Sequence, residues 1–533
     1  MRLWALLTAR PRRAALWLGV LAFAGALPGL GNLAGLGHPD EQFYLSIAVD
    51  GLDHHRIAPT HDDDPVFPKP PLVFWASHLS LAVFGRNATA ARLPGALAAG
   101  LTVAGGVLFT TELATAEAGV LAGALLLGCL GVVRFGRELM LDLPLTACLA
   151  FGLWAFAAAS RGRRGADVWA GALWALSLGF KGPIGVAVLG LAAGFGLWRE
   201  QRLAVFRQPG LWLGIALGAC VSLPWYVWAA ATHWPQLLQF QFQEQYLDRF
   251  ETAHGQSRFN LLWGTLLYGA PLWPFALWGA RQRLDAPGDG VRSAWVWGWL
   301  LSFYGLYLLP KEHGLHYPLL ALVPLATLAA IARAPRGLRV AVGVVLGLAA
   351  CALPAVAAFP EVPRVPLLLA TALGLAAAVA MGMASRASLA ASGLLLGLSV
   401  NLVIGEVAPA LGRPLVSPEA QVLGQDRPLG LLWDHPGPYR LAAGWGPQAT
   451  ELWGDAALRQ AIEAGSLVFA KDRILAHADP SATARLVPLA RWRRTRPYLS
   501  VSDLLAAWRA HDLDALGEGY GLYRVSDNRP PVP

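Results

Sequence analysis

Stretches of about 20 predominantly apolar residues, each long enough to cross a hydrocarbon layer as a helix, recur along almost the whole chain. Thirteen such runs are centred near residues 22, 101, 125, 152, 174, 191, 220, 269, 300, 325, 348, 374 and 400. The stretch 167–198 is interrupted by Lys181-Gly182-Pro183 and reads as two short helices or one helical hairpin. Only 14% of the residues are charged and 55% are hydrophobic, against about 25% charged in soluble proteins. Most of the chain therefore does not face water. Arginines precede the first run as in a signal peptide, but no cleavage site and soluble domain follow, so the run is read as the first span.

The net charge of +8 does not indicate nucleic acid, because the arginines stand in short clusters between apolar runs and form no basic stripe. Sorting the loops by arginine assigns Arg2/Arg10/Arg12/Arg13, Arg161/Arg163/Arg164, Arg199/Arg202/Arg207, Arg281/Arg283, Arg333/Arg336/Arg339 and Arg386 to the cytoplasmic side. The intervening loops hold Asp40, Glu41, His54, His55, Lys69, Glu138, Asp142, Lys181, Glu244, Lys311 and His313, and are read as extracytoplasmic. Three of the four lysines, Lys69, Lys181 and Lys311, fall at these outer helix ends; the fourth is Lys471. Ionisable groups gathered near membrane depth on one side are functional candidates.

The first outer loop, residues 33–90, contains an apolar run from Leu72 to Gly85 that is too short to span and is expected to lie along the interface or dip into it. Residues 1–410 thus read as an all-α polytopic membrane domain. Residues 411–533 read as a small soluble α/β domain outside the membrane. Asp455 can cap a helix to Ala464, Ser466–Ala470 reads as a strand, Ser502 can cap a helix to Ala510, and Tyr520–Val525 reads as the last strand. The tail 529–533 is proline-rich. Cys129, Cys148, Cys220 and Cys351 lie in apolar runs without ligand spacing and read as small hydrophobes.

Five polar constellations interrupt the membrane part. Pro39-Asp40-Glu41 offers a carboxylate for base catalysis, or a helix cap. Pro70 and Pro71 stiffen the chain behind Lys69, suiting it to a phosphate, or to an interfacial anchor. In Arg137–Asp142, a helical backbone would put Glu138 and Asp142 on one face, with Arg137 able to pair with either. Arg249 lies among aromatics in the loop 240–257 and suits a phosphate or a sugar ring. Lys311 through Pro318 holds His313, His316 and Tyr317 at the mouth of a helix. His54, His55, His61 and Asp62–Asp64 share one loop, but no ligand spacing is present and no metal or other cofactor is assigned. No glycine-rich nucleotide loop appears, and the cytoplasmic loops are short, so a transferred sugar would come from a lipid-borne donor.

In their order and spacing, Pro39-Asp40-Glu41, Lys69-Pro70-Pro71-Leu72, Ala91-Arg92-Leu93-Pro94, Gly136–Asp142, Lys181-Gly182-Pro183 and Leu309-Pro310-Lys311 leading to Tyr317-Pro318 resemble the motifs of the bacterial C-type (GT-C) glycosyltransferases. The branch is that of the aminoarabinose–lipid A transferases and protein O-mannosyltransferase-like proteins, and the resemblance covers about residues 14–410. It implies an inner-membrane enzyme that moves a sugar, with inversion, from a polyprenyl-phosphate carrier to a glycolipid or protein acceptor, working as a monomer without nucleic acid. By similarity Asp40 is the base or positions the acceptor, Asp142 is a second acidic group, and Glu41 lines the site. Lys69 and Arg249 hold the lipid phosphate, with Tyr317 and Lys311 beside them. Similar aminoarabinose transferases carry a metal-binding glutamate before the Lys-Pro-Pro motif, where this chain has Pro68. The competing reading, a transporter or flippase of lipid-linked saccharides, predicts ionisable groups at mid-membrane in broken helices instead of at one face.

Overall fold

The computed structural model describes residues 2–33, 38–53, 58–61, 64–240, 243, 257, 259–282, 292–311, 313–383, 385–412, 415–425, 427–435, 437–495, 501–510, 512 and 517–526. Its larger part is a bundle of helices. Among the described residues, six are long and apolar enough to cross a membrane: 88–113, 142–160, 209–232, 336–358, 364–382 and 386–411. Shorter apolar helices lie at 72–84, 116–127, 183–199 and 317–331, and further helices at 11–26, 166–176 and 293–307. The run expected near 269 is two helices, 260–268 and 272–280, because Pro271 cannot continue the first. The ambiguous stretch 167–198 is a hairpin-like pair, 166–176 and 183–199, with a single turn, 178–181, between them.

Two features suit these helices to a lipid solvent. The first is exposed apolar faces: Val344, Val345 and Leu348 on one helix, Leu368 and Val379 on the next, all more than half exposed. In water such faces would have to be covered; against acyl chains they are at home. The second is close approach through small residues. Gly210, Gly214 and Gly218 form a four-residue repeat on helix 209–232, and a Cβ on Gly214 would lie 2.0 Å from the Val168 carbonyl oxygen of helix 166–176. Where burial of apolar surface drives nothing, such van der Waals contact between backbones holds helices together.

The two ends of the bundle differ in charge. At one end Arg161 and Arg163 pair with buried Glu112 (3.0 and 3.1 Å), and Arg292 pairs with Glu200. Glu200 also accepts the Trp295 indole N–H at 2.7 Å. This is the end where the arginine-rich loops gather.

At the other end the loop 33–90 is more structured than a surface excursion. It contains helix Pro39–Asp53, a two-stranded ribbon of β1 (Thr60–His61) and β2 (Asp64–Pro65), and helix Leu72–Phe84. Helix 39–53 begins at Pro39, so Asp40 lies within its first turn and is not its N-cap. The expected helical face joining Glu138 to Asp142 does not form. The chain is irregular from Gly136 to Leu141, and the next helix begins at Asp142. Arg137 pairs with neither carboxylate. It donates to the carbonyls of Gly25, Pro28 and Val133 and to Asn401 Oδ1 (2.6–3.0 Å), because buried backbone oxygens at frayed helix ends need donors.

The chain after residue 417 forms a five-stranded mixed sheet in the order β4-β3-β5-β7-β6, from β3 (Leu429–Leu432), β4 (Ala449–Leu452), β5 (Leu467–Lys471), β6 (Leu486–Thr495) and β7 (Gly517–Val525). β3 pairs in parallel with β4 and β5; β7 runs antiparallel to β5 and β6. Tyr439, Trp445, Phe469 and Tyr520 fill one face of it. Asp455 sits in the first turn of helix Gly454–Glu463 but does not cap it; its carboxylate accepts the Asp479 N–H at 3.0 Å instead. Helix Val501–Ala510 begins one residue before the expected cap Ser502, and the tail 529–533 lies outside the described residues.

The sheet domain docks on helix 39–53. Gly437, opening helix Gly437–Ala443, donates its N–H to Ser46 Oγ at 2.8 Å. A Cβ there would lie 2.2 Å from the Ser46 nitrogen, so only glycine permits this approach. Arg440 and Asp50, both buried, pair at 3.6 Å across the same contact. The sheet domain and the loop 33–90 therefore lie at one end of the bundle.

Candidate active site

Asp142 is set by the helix it starts. It lies in the first turn of helix 142–160, where negative charge is favoured. Lys181 comes from a different break. Gly182, at φ +76°, ends the short turn 178–181, and Pro183 starts the following helix in the first-turn position proline tolerates. The lysine at this break donates to Asp142 Oδ1 at 2.5 Å, with 13% of its side chain exposed and 2% of the aspartate's. A buried carboxylate needs such a partner, since an unpaired one would be far costlier. The Lys181 ammonium also stands 4.5 Å above the Tyr317 ring and 5.9 Å from Tyr307.

His316 closes the other side of Asp142, its Nε2 3.6 Å from Oδ2. Its ring meets His38 edge-on, centroids 4.4 Å apart. Next along is Asp40, its Oδ2 3.9 Å from His38 Nδ1 and its side chain 47% exposed. His38 Nδ1 accepts the Asp40 backbone N–H at 3.2 Å, so that nitrogen carries no proton. Burial agrees, pushing the His38 imidazole below its usual range against the opposing pull of Asp40. Asp40 and Lys69 both lie within electrostatic reach of His316. A continuous polar path thus runs from half-exposed Asp40 through His38 and His316 to buried Asp142 and Lys181.

Among the residues singled out in the sequence, Asp40, Asp142 and Tyr317 meet here, with Lys69 close by. Lys311 is partly buried on the stretch leading into His316. Arg249 lies outside the described residues, as do His54, His55, Asp62, Asp63, Glu244 and Glu312. Glu41 points elsewhere. Its two oxygens take a bidentate pair from Arg92 (2.7 and 2.6 Å), and one also accepts the Leu139 N–H at 2.8 Å. Arg92 in turn donates to the carbonyls of Leu30 and Asn32. These three bonds hold the first loop to the segment before Asp142. Arg92, Arg134, Arg137 and Glu138 of these segments also line a separate cavity of about 280 Å³.

Three members of the cluster, His38, Lys181 and His316, were not assigned roles from sequence. Lys181 carried a signal, being one of only four lysines and followed by Gly-Pro. His316 carried one too, standing in the Lys311–Pro318 constellation at a helix mouth, whereas His38 carried none, because an isolated histidine beside an apolar run is common. For a metal, Pro68 offers no ligand atom where similar transferases carry glutamate, so that arrangement does not fit this chain. His38, Asp40 and His316 do present three ligand atoms within 4.8 Å of one another, with one His38 nitrogen already taken by the Asp40 amide.

Residues 68–228 match the model of the dolichyl-phosphate-mannose-protein mannosyltransferase family. Over 336 residues the chain is 30% identical to an undecaprenyl phosphate-alpha-4-amino-4-deoxy-L-arabinose arabinosyl transferase of Pseudomonas savastanoi pv. phaseolicola, covering 60% of this chain and 61% of that one. It is 29% identical over 231 residues to arabinosyl transferase 2 of the same description from Pseudomonas fluorescens, covering 42% and 39%. The matched stretch is thus under two thirds of either relative. The crystal structure of ArnT from Cupriavidus metallidurans bound to undecaprenyl phosphate shares the fold, with a TM-score of 0.69 at 18% identity over 95% of this chain and 97% of that one. The apo form of the same protein gives the same score.

Proposed function

Because the chain shares its fold and motifs with the C-type glycosyltransferases of the aminoarabinose-transferase branch, we propose that it moves a sugar from a polyprenyl-phosphate carrier to a hydroxyl or phosphate acceptor at the outer face of an inner membrane. The acceptor is a glycolipid such as lipid A, or a protein. The observation that carries the reading is the convergence of Asp40, Asp142, Lys181 and Tyr317, contributed by segments far apart in the chain, at one end of an otherwise apolar bundle.

The topology follows from charge. The Arg161–Glu112–Arg292 end is cytoplasmic by its arginines, which places the opposite end, with residues 33–90 and the sheet domain, outside. We assign residues 1–410 to the membrane domain with thirteen crossings, residues 411–533 to the extracytoplasmic domain, and a monomer as the working unit. The clustering at helix ends favours a transferase over a flippase.

In the reaction, an acceptor oxygen attacks the anomeric carbon. The bond from that carbon to the carrier's phosphate oxygen breaks, and the phosphate leaves on the lipid. Asp40 takes the acceptor proton: it is the carboxylate with open surface, while Asp142 is committed to Lys181. Lys69, Tyr317 and Lys311 stabilise the charge that develops on the phosphate, and Arg249 is assigned the same role by resemblance alone. Asp142 and His316 hold Lys181 in place. A divalent cation held by His38, Asp40 and His316 would supply further positive charge at the phosphate; no step above passes through it.

Asp40→Asn tests this assignment. The variant folds and inserts but loses transfer by about 10²–10⁴-fold, the usual contribution of a general base. Mass spectrometry of envelope glycolipids and glycoproteins from cells carrying wild type, Asp40→Asn or no gene identifies the sugar and acceptor together. Wild-type modification by Asp40→Asn would remove Asp40 from the chemistry.

A further inference from the structure

A second cluster of ligating side chains lies away from the site above, where the first outer loop meets the sheet domain. His61 ends β1 of the loop ribbon, His435 follows β3, and Glu451 lies on β4. His61 Nε2 is 2.8 Å from Glu451 Oε1, and His435 Nδ1 bonds the same oxygen. The three ligand atoms all lie within 4.8 Å of one another. Exposure of the three side chains is low, at 12% for His61, 24% for His435 and 9% for Glu451.

We propose that His61, His435 and Glu451 form a binding site for zinc or a related borderline divalent cation, which fastens the sheet domain to the first outer loop. Two imidazole nitrogens and one carboxylate oxygen are a ligand set that zinc-class ions take, whereas magnesium and calcium prefer all-oxygen sets. Metal–ligand bonds of roughly 2.0–2.2 Å in tetrahedral array hold ligand atoms about 3.3 Å apart. The His61–Glu451 pair at 2.8 Å therefore needs to open by about half an ångström, and the closer His435–Glu451 pair by more.

The surroundings are those of a held site. The other carboxylate oxygen of Glu451 accepts the Trp453 indole N–H at 2.5 Å, and a second partner of this kind fixes a ligand's orientation. Phe43 packs on both imidazoles, with centroids 5.1 Å from His61 and 5.4 Å from His435, and Trp453 closes on His435 at 5.9 Å. Phe43 belongs to helix 39–53, two residues beyond Glu41. Three protein ligands leave a fourth position for water. The ligands come from two distant parts of the chain, so binding energy at this point is spent on domain docking.

The test uses the full-length protein purified in detergent, stripped with a chelator, reloaded with zinc and dialysed. Metal is counted by mass spectrometry, without reference to transfer activity. Wild type is expected to hold about one equivalent more per chain than His435→Ala or His61→Gln, whichever other cations it carries. His477→Ala, altering an exposed histidine of the same domain, keeps the wild-type content. Cobalt(II) gives visible d–d bands in wild type that Glu451→Gln lacks. Zinc also slows proteolytic release of the sheet domain from wild type but not from His61→Gln, a loop substitution that leaves the sheet intact. Equal metal content in wild type, His435→Ala and His61→Gln, or equal protection by zinc, would overturn the proposal and leave a plain histidine–glutamate ion pair.

Discussion

Glu41 adjoins the proposed base, yet its geometry assigns it to the scaffold, and the Glu41–Arg92 pair makes that assignment measurable. Both side chains are buried, 2% and 5% exposed. Arg92→Leu removes two charge-assisted bonds from Glu41 and one donor each from the carbonyls of Leu30 and Asn32. Removing one partner of a buried ion pair costs about 3–5 kcal/mol, mostly because the other charge stays buried alone. Removing both leaves no buried charge alone: Glu41→Leu/Arg92→Leu orphans the Leu139 amide and takes one donor each from the carbonyls of Leu30 and Asn32, at about 1–3 kcal/mol per unsatisfied group. The double variant is therefore expected to be more stable than Arg92→Leu alone, with a coupling of up to about 3 kcal/mol in the double-mutant cycle. Resistance to thermal inactivation in detergent ranks the four proteins. In parallel, Glu41→Gln keeps the N–H bond and the shape, and should retain turnover per folded molecule within about threefold, since it touches no reacting group. The reasoning fails if Glu41→Gln abolishes transfer in a protein as stable as wild type, or if Arg92→Leu costs nothing.

Other substitutions separate the remaining roles. Lys181→Met leaves Asp142 buried without its cation, so transfer falls by about 10²-fold or more and stability by about 3–5 kcal/mol; an unchanged thermal midpoint with full turnover would show that the pair is dispensable. Lys69→Ala should raise the donor KM about tenfold, or about 1.4 kcal/mol, without unfolding; unchanged donor KM and kcat would reduce Lys69 to an interfacial anchor. Gly437→Val drives a side chain into the backbone at Ser46 and should weaken docking of the sheet domain by about 3 kcal/mol, read as faster proteolysis between the domains; wild-type resistance would mean the contact is not rigid.

What the sequence by itself determined is the solvent of each segment. Apolar runs of spanning length, arginine-rich loops on alternate turns and a fall in hydropathy after residue 410 are local properties, and each of the expected runs has helix at or beside its centre. The same holds for β5, β7 and the helices 454–463 and 501–510, where alternation and turn residues speak within ten residues. Asp40 and Asp142 were legible because acidic residues at helix mouths are costly and stand out against an apolar background.

Only the tertiary structure decided which groups meet. Glu41 and Asp40 are neighbours in sequence, but successive helix residues point about 100° apart, and that turn sends Glu41 to Arg92 while Asp40 stays at the cleft. The Glu138–Asp142 pair failed because the expected helical spacing needs a helix, and backbone carbonyls at the end of the preceding one drew Arg137 away. Lys181 finds Asp142, His316 finds His38, and His61 finds Glu451 across long separations, by helix packing and domain docking. Composition and spacing carry no trace of such pairs, because a side chain's partner is set by where the backbone folds back, and that is a property of the whole bundle.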